Sequence, residues 1–216
     1  MSLFQSSVVA KYLNTQNEEI IATKWQLFKN HFQNPTIQEN IRNSKEEQYQ
    51  GGFIIDLFVN ILGYTKNPAP NFNIITEQKN VKDAKKADGA IIINNKVKAV
   101  VELKGTETTD LNKVETQAFS YKNNQPECTY VITSNFEKLR FYVDNAIEHI
   151  EFNLFTLSQQ QFELLFLCLA YENIANDIPK KLKEQSVSHE DVITKTLYKD
   201  YSLFKRELFQ NLLVSL

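Results

Sequence analysis

The sequence predicts an α/β protein: a mixed central sheet flanked by helices, with a C-terminal helical extension. Three observations carry this. Short apolar runs bounded by turn residues cluster between Phe72 and Phe152, which is the pattern of strands. A helical pattern at Leu111 to Asn123 interrupts them, so the strands on either side form a β–α–β crossover. Helical periodicity dominates before Gly63 and after Ser158, placing helices on both flanks.

Residues 1–33 read as one or two helices, from the spacing of Val8, Val9, Tyr12 and Leu13 and then of Ile20, Ile21, Trp25 and Phe28. Asn34-Pro35-Thr36 breaks that pattern. From about Ser44 a strongly amphipathic helix follows. Tyr49, Phe53, Leu57 and Ile61 recur every four residues, and Ile54, Phe58 and Leu62 widen the stripe. Gly63 suits its C-cap, and KNPAPN is then a loop. Strands are expected at Phe72 to Thr76, Gly89 to Ile93, Lys96 to Leu103, Thr129 to Thr133, Leu139 to Val143 and Ile147 to Phe152. Asn94–Asn95 suits a tight hairpin turn, because Asn tolerates positive φ. Gln159 to Ile174 reads as one largely buried helix. Ser188 to Leu213 reads as an amphipathic pair or one longer helix, with Ser188 as its N-cap. The chain divides into an N-terminal helical segment (1–39), a core (40–157) and a C-terminal helical connector (158–216).

At 216 residues the chain is long enough for one domain with a sizeable core. Its formal net charge of −2 carries no global basic signal, so an anionic partner must meet a local patch. One such patch lies between Glu77 and Gly105, where seven lysines (79, 82, 85, 86, 96, 98, 104) face four acids (77, 83, 88, 102). The two cysteines, Cys128 and Cys168, sit in apolar settings without metal-ligand spacing. They read as buried thiols of a reducing, cytoplasmic protein. No apolar run is long enough to span a membrane. None of the five glycines forms a dinucleotide or phosphate-binding loop, so no nucleotide site is expected.

The stretch KKADGAIIINNKVKAVVELKG, Lys85 to Gly105, holds the sharpest chemical signal. It is an apolar hairpin with three charges at one end. Glu102 and Lys104 are two apart and project from one strand face, and Asp88 opens the neighbouring strand. Two carboxylates at one strand end make a hard-oxygen site suited to Mg²⁺. A lysine beside them can orient water and offset phosphate charge. Glu46 and Glu47 flank the apolar stripe of the long helix by similar angles, so periodicity leaves open which one faces the sheet. Gln117 and Tyr121, four apart on the crossover helix, share one face directly after this strand.

Asp88 followed by Glu102-Leu103-Lys104 resembles the PD-(D/E)xK nuclease motif, with Ala87 in place of the motif's proline. Glu46 upstream and Gln117-x-x-x-Tyr121 downstream resemble the restriction-enzyme and RecB-like branches of that superfamily. KEEQYQGGFIIDLFVNILGYT, YVITSNFEKLRFY and ITKTLYKDYSLFKRELFQNLL resemble, in turn, the first helix, the hairpin after the core and the connector of the endonuclease domain of type IIG restriction–modification enzymes. The resemblance covers residues 40–216 and implies a restriction-endonuclease-like core that cleaves double-stranded DNA. Carried over, Asp88, Glu102 and the Leu103 carbonyl would bind Mg²⁺, with Mn²⁺ as the alternative ion. Lys104 would orient the attacking water, and Glu46 would be the upstream acid, with Glu47 as the other candidate. Gln117 and Tyr121 would support the site, and Lys82, Lys85 and Lys86 would meet the DNA backbone. The chain carries neither Asn-Pro-Pro-Tyr nor a glycine-rich methyl-donor loop. The resemblance therefore implies partner methyltransferase and target-recognition domains elsewhere in a longer polypeptide. A repair or junction-cleaving nuclease of the same superfamily, and a catalytically idle docking domain, are the competing readings; the intact Asp, Glu and Lys argue against the second.

Overall fold

The computed structural model describes residues 3–79 and 86–214. Three helices lead in: α1 (Ser6–Leu13), α2 (Glu18–Phe32) and α3 (Pro35–Asn43). The break expected at Asn34–Thr36 is also a beginning. The Asn34 side chain accepts from the Thr36 and Ile37 amides, and Pro35 occupies the first turn of α3, where its missing N–H costs nothing. Next, α4 (Glu46–Phe53) runs into a π-helical stretch at Ile54–Val59. There Asn60 and Leu62 donate to the carbonyls of Ile55 and Leu57, five residues back. Gly63 ends this unit at φ +83°, a conformation that costs a glycine least.

Six strands follow: β1 (Ile74–Lys79), β2 (Lys86–Ile93), β3 (Lys96–Leu103), β4 (Tyr130–Ser134), β5 (Lys138–Val143) and β6 (His149–Asn153). They form one mixed sheet in chain order. All neighbours are antiparallel except β3 and β4, which are parallel because α5 (Asn112–Asn123) crosses between them. Asn94 and Asn95 turn the β2–β3 hairpin at φ +51° and +61°, as expected for a two-residue turn.

The C-terminal part holds α6 (Gln159–Leu169), α7 (Tyr171–Ala175) and α8 (Ile178–Val214). Two expectations are corrected here. The Gln159–Ile174 segment is two helices, because Ala170 leaves the helical region at ψ 141° and the Tyr171 amide bonds the Leu62 carbonyl instead. Ser188 caps nothing: α8 starts at Ile178 and passes through it without a break.

The sheet is covered on both faces. Val100, Ala118, Tyr121, Val131 and Tyr142 pack together between it and α5. The other face joins α1–α4, α6 and α8 in one hydrophobic cluster reaching from Leu3 to Leu182. Its centre is aromatic: Phe28 lies 5.1 Å from Phe162, and Phe32 lies 6.1 Å from Phe53, ring to ring. No described helix is long and apolar enough to cross a membrane. Cys128 and Cys168 are both buried and free.

Candidate active site

Strand alternation sorts the end of β3. Ala99, Val101 and Leu103 enter the larger cluster, whereas Val100 belongs to the cluster beneath α5. Glu102 therefore shares the α5 side with Val100, and its side chain is only 1% exposed. The β2–β3 register pairs Gly89 with Val101; continued one step, it sets Asp88 across from Glu102. A Cβ at Gly89 would already touch the Ile75 carbonyl oxygen and Val101 at 3.4 Å and Ile54 at 3.5 Å. The helix that starts at Glu46 thus lies directly on β2, with its first turn beside the charged strand ends.

Asp88 Oδ2 accepts from the Leu103 amide at 2.7 Å. Lys104 Nζ donates to Glu102 Oε1 at 3.1 Å, to the Leu103 carbonyl at 3.0 Å and to Glu46 Oε1 at 3.4 Å. From α5, the Gln117 amide donates to Glu102 Oε1 and, at 3.1 Å, meets Tyr121 Oη. From α4, Gln50 donates to Glu46 Oε1 at 3.1 Å. Glu102 Oε2 is buried with no partner among the described residues, an expensive arrangement for a carboxylate oxygen.

Three carboxylates against one ammonium leave the cluster short of positive charge. Burial first, and then the Asp88 charge, push the Glu102 carboxyl up to about 7 against the pull of Lys104. Burial also raises Asp88, more than the Leu103 amide and Lys104 lower it. For Lys104, burial acts downward, but Glu102 foremost and then Asp88 and Glu46 win, and its proton is held more tightly than usual.

These groups fit a small, hard cation. Asp88 and Glu102 are paired carboxylates at a strand end, and Glu102 Oε2 is an oxygen in want of a partner. Among the described residues no three His, Cys, Asp or Glu side chains are grouped so as to hold a metal ion, and Lys104 bridges Glu46 and Glu102. A two-carboxylate site without a cage is the kind Mg²⁺ takes, keeping its remaining coordination for water and phosphate.

Geometry also separates Glu46 from Glu47, which periodicity could not. Glu46 joins the cluster, while Glu47 is exposed and lines a neighbouring cleft with Gln50, Lys66, Thr76 and Asp88. Lys86 borders the same cleft and pairs with Glu77 at 2.8 Å. Lys82 and Lys85 lie outside the described residues. Sequence reasoning missed Gln50, whose signal is its place four residues after Glu46 on one helix face. It also missed a clasp on the other side of α4, where Tyr49 Oη donates to Asp56 Oδ2 at 3.1 Å and lies 3.0 Å from His31 Nε2.

Compared with known families, the chain matches the model described as "MmeI, N-terminal domain" over residues 32–190. No curated protein and no solved structure matches it.

Proposed function

Because the chain belongs to the family of MmeI N-terminal domains, a domain of restriction–modification enzymes, we propose that it is a Mg²⁺-dependent DNA endonuclease module. The observation that carries this reading is the convergence of Asp88, Glu102, Lys104 and Glu46 at the joint ends of β2, β3 and α4. The Asp88–Glu102-x-Lys104 arrangement resembles the PD-(D/E)xK nuclease motif, which supports this reading.

Asp88 and Glu102, with the Leu103 carbonyl, would hold Mg²⁺. The ion would supply charge neutralisation at the scissile phosphate and a more acidic bound water. The chain's own groups do the rest. Gln117 and Lys104 occupy Glu102 Oε1, which leaves Oε2 as the free ligand oxygen. The Leu103 amide fixes Asp88 from the same strand that carries Glu102. Lys104 presents an ammonium whose proton is firmly held, a donor able to orient an attacking water and to meet charge developing on the phosphate. Glu46 holds that ammonium from α4. Lys86, with Lys82 and Lys85, would meet the duplex backbone. Methyltransferase and target-recognition partners would belong to other parts of a longer polypeptide.

The test is nicking of supercoiled plasmid with and without Mg²⁺. Asp88→Ala, Glu102→Ala and Lys104→Ala should each abolish it while circular dichroism stays that of the folded protein. Undiminished cleavage by any one of the three removes that residue from the site, and undiminished cleavage by all three ends the nuclease reading.

A further inference from the structure

We propose that the cleft beside Asp88, between α4 and the β1 edge of the sheet, receives the DNA phosphate next to the scissile one. Lys66 supplies the cation that binds it, and Gly51 the clearance for the strand. This rests on the nuclease reading above. The cleft has a volume of about 410 Å³ and adjoins the candidate metal ligand Asp88, so it is open to the nucleotide flanking a phosphate held there. Five charged groups line it: Glu47, Lys66, Glu77, Lys86 and Asp88. Glu77 and Lys86 pair at 2.8 Å. Asp88 accepts from the Leu103 amide and would be answered by the metal, and Glu47 is exposed to water. Lys66 is different. It is half-buried, and among the described residues its Nζ has no carboxylate or other acceptor. Its backbone bridges to Ile74 at the head of β1, where the Asn67 amide donates to the Ile74 carbonyl at 3.1 Å. The ammonium is thus delivered from a fixed point. A half-covered cation without a counter-ion is costly in the free protein and suits an incoming phosphate oxygen.

Gly51 is the second, independent observation. Two successive glycines lie in α4, and each weakens a helix relative to alanine. Gly52 has a reason within the protein: a Cβ there would lie 2.9 Å from the Tyr49 ring, whose hydroxyl reaches Asp56. A Cβ on Gly51 would meet nothing within 4 Å. The fold does not ask for this glycine, yet it lines the cleft, and a bare backbone is what lets a ligand approach closely.

The experiment is single-turnover nicking of supercoiled plasmid by the full chain in Mg²⁺, across a potassium chloride series. It gives the half-saturating protein concentration and the maximal rate, and the melting temperature of each variant is measured alongside. Lys66→Ala should raise the half-saturating concentration by about tenfold, with maximal rate and melting unchanged. Its dependence on the logarithm of salt concentration should be shallower by about 1 in slope, and Lys66→Arg should keep the parent's slope. Gly51→Leu should also raise the half-saturating concentration, yet melt higher than the parent by up to about 2–4 °C, because leucine is the better helix former and the space is free. A glycine needed only for folding would lower the melting temperature instead. The proposal falls if Lys66→Ala keeps the parent's half-saturation and slope, or if Gly51→Leu nicks like the parent or melts below it. In each of these cases an inactive Glu102→Gln control leaves the nuclease reading standing. A parent chain that does not nick in Mg²⁺ discards both.

Discussion

Glu102 concentrates the energetic tension of the site. Its carboxyl is fully covered, one oxygen lacks a partner among the described residues, and its pKa stands at about 7 against a usual 4.5. A carboxyl raised in the fold stabilises the protein below its unfolded pKa, and that contribution disappears as pH climbs through the folded value. In the metal-free protein, stability should therefore fall between about pH 4.5 and 7, by at most about 3 kcal/mol. Glu102→Gln should melt higher than the parent near pH 8 and lose that advantage near pH 5; thermal melts at both values check the sign. Cys128 offers a second measurement. Burial pushes its thiol up to about 12, so alkylation near pH 8 should proceed only after denaturant unfolds the chain. Asp88, Glu102 and Lys104 are legible in the sequence because a two-residue period interrupts apolar strands with charges that need a reason. Gln50 is not legible in that way. A glutamine on a half-exposed helix turn looks the same whether it faces water or holds a carboxylate, and only its hydrogen bond to Glu46 Oε1 distinguishes the two.

Among the elements, α4 and its π-helical continuation carry the most weight, since they bring Glu46 and Gln50 to the sheet. Phe53 and Phe58 are fully buried on this unit, so Phe53→Ala should cost about 3–5 kcal/mol in urea unfolding. Gly63→Ala should cost about 1 kcal/mol, because alanine resists φ +83°. The strands and the long amphipathic stripe follow from periodicity, and the described structure agrees with both to within a few residues. Helix ends are harder. Asn34-Pro35 stops one helix and starts another with the same chemistry. Ser188 has a capping side chain but no helix start to cap. The break at Ala170 has no Gly or Pro to announce it, because its cause is a distant acceptor, the Leu62 carbonyl.

Across the whole molecule, one hydrophobic cluster from Leu3 to Leu182 binds the leading helices to the sheet, whereas Leu197, Tyr198, Tyr201 and Phe204 of α8 are 61–74% exposed. Deleting residues 193–216 should leave the melting temperature nearly unchanged, and deleting residues 1–17 should lower it clearly, since Leu3, Phe4 and Val8 go with them; calorimetry on the two truncations distinguishes them. The route from Glu46 to Gly63 has one more property. A π-helical turn accommodates one residue more than the α-helix that would follow the same path, and the outward bulge includes Ile55, 43% exposed. Removing Ile55 would let the helix close into regular α geometry with both ends in phase: Phe53 and Leu62 would still face the core, and Glu46 would still reach Lys104. Removing a residue from the α-helical turns before Phe53 would instead rotate everything upstream by about 100° and swing Glu46 out of the cluster. The tolerance of this helix to a change in length thus depends on which side of Phe53 the change falls.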